Sequence, residues 1–240
     1  MTDDELLPHL RARLPDFAPA GPPVRLPGGN LNVVWRVPGE DASVIVKYAP
    51  PHLAADPSVP LDPSRLLIEA RCLNALDPDG ALSALRSGAV RVPRLRDVDE
   101  EAFVVVMEDL GDRPALGEWL RRADEETLRT AAPNFGEHLG TFIGRLHAAT
   151  HDRSAYATVF DNRPMQETRQ AVQYGAVGDL LARGGVSDAE ALGGRAEALG
   201  EALLDPGRCL TMGDLWPSSV LVGEGRLGLI DWELAHYGRP

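Results

Sequence analysis

Three carboxylates near the end of this chain stand where ordinary surface charge is not expected. Asp214 lies in Met212-Gly213-Asp214-Leu215-Trp216-Pro217-Ser218-Ser219, and Asp231 and Glu233 lie in Leu229-Ile230-Asp231-Trp232-Glu233. Hydrophobic runs flank each aspartate, which argues for charges drawn inward to do a task. Capping of a local turn accounts for one such residue but hardly for three. If residues 220–222 and 227–230 form a hairpin, its register sets Ser219 across from Ile230, beside Asp231. Ser219, Asp231 and Glu233 then converge as oxygen ligands for a hard divalent ion that keeps several waters, as Mg²⁺ does. Asp214, on the loop just before, is placed to orient a substrate hydroxyl and accept its proton.

A second group lies far upstream. Of the 24 basic residues, Lys47 is the only lysine and all the others are arginine. In so arginine-rich a chain, a surviving lysine suggests a place that needs a compact ammonium rather than a guanidinium fork, although chance also leaves single lysines. Lys47 ends the run Val44-Ile45-Val46, which reads as a strand buried on both faces, so its charge needs a partner. Glu69, in Leu66-Leu67-Ile68-Glu69-Ala70, falls within the apolar side of a helix and needs one too. A Lys47–Glu69 pair answers both needs; pairing of Glu69 with Arg65 is the alternative. Between two earlier strands, Gly28-Gly29-Asn30-Leu31-Asn32 allows the backbone to approach a phosphate and aim N–H groups at it. A plain hairpin turn explains the same residues, and the segment is neither a Walker A sequence nor a Rossmann fingerprint.

Patterning sets the elements that must hold these groups. Leu6, Leu7, Leu10 and Leu14 mark a short first helix. Strands follow at 24–26, 33–37 and 43–47, and residues 49–63, with five prolines, form an ordered loop. A helix starts with Asp62 as N-cap and Pro63 at its first position and runs to about Leu76. Ala102 to Met107 is a buried strand closed by Glu108-Asp109-Leu110. Beyond about residue 115 the pattern turns helical, most clearly from about Asn134 to Thr150, where Leu139, Phe142, Ile143 and Leu146 share a face. Gly136, Gly140 and Gly144 line another face, and close helix packing is expected to offset their poor helix propensity. The order is α+β: a β-rich N-lobe over 1–110 and a helical C-lobe over 111–240 with one small hairpin.

Totals narrow the function. A formal charge of −12 on 240 residues argues against duplex nucleic-acid binding, which needs a basic face. No stretch is apolar for long enough to span a bilayer, and the acidic start Met1-Thr2-Asp3-Asp4-Glu5 is unlike a secretory leader. Cys72 and Cys209 sit among apolar neighbours and read as reduced core residues, so a cytoplasmic protein is expected. His147 and His151 have the i, i+4 spacing of a zinc pair, but with no glutamate between them and no third ligand a packed helix face is the better reading.

Taken in order, GGNLNVVWRV, VIVK, IEA, VVVMEDL, GDLWPSSVLV and IDWELAHYG resemble the aminoglycoside phosphotransferase and choline kinase-like superfamily, and within it most closely the methylthioribose kinases. The resemblance runs from about residue 24 to 240 and is loose in the middle helices. It implies a bilobal protein-kinase-like fold with ATP between the lobes and phosphoryl transfer from ATP to a hydroxyl of a small-molecule substrate. Gly28, Gly29, Asn30, Asn32 and Lys47 would then serve the phosphates, with Glu69 holding Lys47. The hinge Glu108, Asp109 and Leu110 would receive adenine through backbone groups. Asp214 would be the catalytic base, and Ser219, Asp231 and Glu233 would hold Mg²⁺. Three departures from the family pattern stand out. Met212 replaces the usual histidine and Ser219 the common asparagine. The chain also stops at Pro240, whereas relatives continue into helices that complete the second lobe and bind the acceptor. An incomplete C-lobe is therefore expected, and a nucleotide-binding but catalytically impaired protein is the alternative function.

Overall fold

A computed structural model of the chain describes residues 1–86, 88–223 and 225–239. Its first half is built on a five-stranded antiparallel sheet of β1 (Val24–Arg25), β2 (Val33–Val37), β3 (Val44–Tyr48), β5 (Leu95–Asp99) and β6 (Val104–Glu108), in the order β1-β2-β3-β6-β5. Side chains alternate across a strand, so β3 sends Val44 and Val46 to one face and Ile45 and Lys47 to the other. Helix α1 (Asp3–Arg13), opened by a Thr2/Glu5 capping box, covers the first face: Leu6 and Leu10 pack on Trp35, Val37, Val44, Val46, Val104 and Val106. Helix α2 (Arg65–Ala75) covers the second with Leu66, Cys72 and Leu73 over Val105 and Met107. Lys47 is thus directed at α2 by strand periodicity alone, and both cysteines are free and buried.

Helix α2 starts later than its cap signal predicts. The Asp62 carboxylate accepts the Ser64 N–H at 2.8 Å, and Leu66 and Leu67 bond back to Pro63 and Ser64 in a tight lead-in turn. Asp62 therefore caps a turn that precedes the α-helix. The proline-rich loop is ordered, as expected: Leu53 N–H donates to Val59 O at 2.9 Å and Ala55 N–H to Asn30 O at 3.1 Å.

The remainder is helical: α3 (Leu116–Arg122), α4 (Glu125–Thr150), α5 (Ser154–Val159), α6 (Arg163–Arg169), α7 (Val177–Arg183) and α8 (Ala189–Glu201). Helix α4 begins nine residues before the expected start and carries Pro133 inside it. The Asp124 side chain caps it through the Thr127 N–H at 2.8 Å, and the proline that reads as a breaker only removes one donor from a long helix. Its Phe135, Phe142 and Leu146 pack into the main core with Leu210 and Trp232. The expectation of close packing at Gly136, Gly140 and Gly144 is not met: among the described residues a Cβ at each would touch nothing within 4 Å, and all three are exposed.

Short strands complete the molecule. β8 (Val220–Gly223) and β9 (Arg226–Leu229) form the expected antiparallel hairpin, with Val220 opposite Leu229 and Ile230 N–H bonded to Ser219 O at 3.0 Å. β4 (Val90–Arg91) adds to β9 in parallel, and β7 (Cys209–Thr211) pairs with β10 (His236–Gly238). Neither β4, β7 nor β10 is legible from pattern, because two or three residues are too few to show a period. Among the described residues, no helix is long and apolar enough to cross a membrane.

Candidate active site

Strand pairing brings the distant carboxylates together. Asp214 follows β7 and Asp231 and Glu233 precede β10, so the β7–β10 pair, with Thr211 opposite His236, lays the two segments side by side. Gly213 sits at φ +81°, and a Cβ there would lie 2.0 Å from Leu234 O, so only glycine permits this approach. Asp231 itself adopts φ +65°, a left-handed conformation that aspartate tolerates better than most residues.

Lys47 is 4% exposed and meets three acids. Its Nζ donates to both Glu69 carboxylate oxygens at 2.9 Å and to Asp231 Oδ1 at 2.6 Å, with Glu233 Oε2 at 3.9 Å. Glu69, fully buried on α2, also accepts the Trp232 N–H at 3.3 Å, tying α2 to the acidic segment. The alternative Arg65–Glu69 pair is not formed. Arg65 Nη1 donates to Asp62 O at 2.7 Å, and its Nη2 to Leu31 O at 2.7 Å and Asn32 Oδ1 at 3.0 Å. The Asn32 amide in turn donates to Glu233 Oε2.

Charge is unbalanced here. Burial works against the Lys47 ammonium, yet Asp231, Glu69 and Glu233 outweigh it and hold the group above the usual lysine range. Burial raises Glu69 in spite of Lys47. Burial, with Glu69 and Asp231 nearby, pushes Glu233 up to about 7 against the pull of Lys47 and Arg65. Three carboxylates around one ammonium leave negative charge to be balanced by a proton or a further cation. The Asp231 side chain, 42% exposed, is where a cation from solvent can reach the group. Among the described residues no three His, Cys, Asp or Glu side chains form a ready-made metal cage.

Asp214 is on the neighbouring loop, half-exposed, with Oδ1 accepting the Trp216 indole N–H at 2.8 Å. Ser219 is buried and its Oγ donates to Asp214 O at 3.3 Å. Met212 packs in the core, and Arg169 holds the loop by donating to Gly213 O at 2.6 Å. Gly28, at φ +92°, Gly29 and Asn30 form an exposed turn between β1 and β2, while Asn32 is buried in the acidic cluster. At the end of β6, the Glu108 carboxylate takes Arg91 at 2.5 Å and Asp109 takes Arg36 and Ser43. Both carboxylates are thus occupied by partners within the chain. Leu110 lies against β9, where a Cβ on Gly228 would come within 2.7 Å of its Cδ1. Arg65 was overlooked as a functional candidate because nothing in its own segment marks it as buried; Asn32, four residues past Gly28, was the one available hint.

The chain is 29% identical over 256 residues to a 4-hydroxytryptamine kinase of Psilocybe cyanescens, covering 100% of this chain and 70% of the relative. It is 29% identical over 231 residues to a methylthioribose kinase of Pectobacterium carotovorum, covering 88% of this chain and 54% of that relative. The fold matches the solved streptomycin-ATP-APH(2")-IIa ternary complex with a TM-score of 0.55 at 16% identity, over 100% of this chain and 73% of that one. That similarity establishes a kinase-like α+β fold. The model of the phosphotransferase enzyme family matches residues 23–240, and the chain belongs to that family.

Proposed function

We propose that this chain transfers the γ-phosphoryl group of ATP to a hydroxyl of a small molecule in the cytoplasm. The observation that carries the proposal is the Lys47 ammonium held by buried Glu69 and in contact with Asp231, from opposite ends of the sequence. In this reading residues 1–110 and 111–240 act as two lobes. The Gly28–Asn30 turn and Lys47 hold phosphate oxygens, and backbone groups of Glu108 to Leu110 receive adenine. Asp231, Glu233 and Ser219 would hold Mg²⁺, which supplies neutralisation of phosphate charge when bound. Asp214 accepts the proton of the acceptor hydroxyl and aims its oxygen at phosphorus; Trp216 fixes one carboxylate oxygen and leaves the other for the acceptor. Catalysis is then positioning and charge stabilisation rather than covalent chemistry. The relatives' names frame the acceptor search as hydroxylated aromatic amines and methylthio-sugars.

Isothermal titration with Mg·ATP, followed by an ATP-consumption screen over such compounds, tests the reading. Asp214→Asn is expected to abolish turnover while ATP affinity stays within about twofold, since the residue touches the acceptor and not the nucleotide. Turnover that survives this change removes Asp214 from the role of base.

A further inference from the structure

Arg65 is 1% exposed and lies at the first turn of α2. Its fork reaches three separate pieces of chain. Nη1 donates to Asp62 O at 2.7 Å, just before its own helix. Nη2 donates to Leu31 O at 2.7 Å and Asn32 Oδ1 at 3.0 Å, both beyond the glycine turn, and lies 3.5 Å from Pro50 O after β3. Its Nε finds no hydrogen-bond partner among the described residues.

The Asn32 amide is the informative link. A guanidinium has only donors, so the group facing it must be the amide oxygen. The amide nitrogen then faces Glu233, whose carboxylate only accepts when ionised. Asn32 is thereby locked in one orientation and passes the direction of Arg65 to a carboxylate that Lys47 approaches only to 3.9 Å. A lysine at position 65 has no planar fork with which to hold separate acceptors at fixed angles.

We propose that Arg65 is a positioning residue for phosphoryl transfer: through Asn32 it orients the Glu233 carboxylate, and through Leu31 O it anchors the glycine-rich turn to α2. One cation thus sets the placement of the phosphate loop and of a metal-binding acid together. This inference rests on the phosphotransferase reading above, because it assigns Glu233 to the metal.

The test is a double-mutant cycle read by Mn²⁺ titration of the ATP-bound full chain, followed by electron paramagnetic resonance, with urea denaturation in parallel. Asn32→Ser and Arg65→Lys are each expected to raise the Mn²⁺ concentration at half-saturation by about 10- to 100-fold, the usual effect of losing an outer-sphere partner. The double variant is expected to be no worse than the weaker single one, since both changes break one relay. Asn32→Ser leaves the guanidinium in place and keeps the test open if Arg65→Lys unfolds the chain. Unchanged Mn²⁺ half-saturation in folded Asn32→Ser, or losses that multiply in the double variant, overturns the relay and leaves Arg65 a structural residue. Failure of the unaltered chain to bind Mn²⁺ with ATP overturns the phosphotransferase reading itself, and the relay with it.

Discussion

The Lys47 ammonium, bonded to Glu69 and Asp231 with Glu233 at 3.9 Å, bears on stability as well as on the proposed chemistry. Removing it as Lys47→Met leaves Glu69 charged and unpaired inside the protein. The expected loss is about 3 to 5 kcal/mol of unfolding free energy, measured by urea denaturation. A loss under about 1 kcal/mol would mean that Glu69 is protonated or rescued by water, and that the pair is not the central device described here. His236 yields a pH prediction. Burial, aided by Arg169 and opposed by the hydrogen bond to Leu234 O, lowers its basicity from the ordinary value of 6.5. The unfolded chain therefore binds the proton more readily than the folded one. Its contribution to stability is full above about pH 6.5 and is lost as pH falls through the lower folded value. The urea midpoint is expected to drop between pH 7.5 and pH 5, and His236→Asn is expected to flatten part of that drop.

At the scale of elements, α4 is the clearest case. Its Phe135, Phe142 and Leu146 enter the core, whereas Gly136, Gly140 and Gly144 face open space at helical φ. Since no neighbour needs the room, replacing any of them by alanine is expected to raise stability by up to about 1 kcal/mol, and the gains should add across sites. A decrease on thermal or chemical melting would show that another surface does cover this face. The N-cap acts in the opposite direction: Asp124→Ala removes the bond to Thr127 N–H and is expected to cost about 1 kcal/mol.

At the scale of the molecule, the two halves meet through polar contacts and through strand pairing. Lys47 and Glu69 of the first half grip Asp231 and the Trp232 backbone, and β4 pairs with β9. Halves linked in this way are expected to melt in one transition. Mg·ATP at about a hundredfold excess over its Kd should raise the unfolding free energy by about 2.7 kcal/mol. Calorimetry showing two separate transitions, of which the ligand moves only one, would contradict this coupling.

What could be read from the residues alone was whatever depends on local period or on the cost of burying charge. Strand alternation in Val44–Lys47, the apolar setting of Glu69 and the hairpin register that sets Ser219 opposite Ile230 all follow from such rules. The contact of Lys47 with Asp231 does not, because burial cost pairs Lys47 with Glu69 and nothing local relates β3 to the residues before β10. Tertiary structure alone decided what depends on contact between segments without internal pattern. β7 and β10 are three residues each, yet their pairing lays Asp214's loop against Leu234. Arg65 carries no local mark of burial, and only folding shows it bonded to Asn32 instead of Glu69. The start of α4 was hidden because proline's local penalty is visible in sequence, whereas the packing of Phe135 and Phe142 that outweighs it is not.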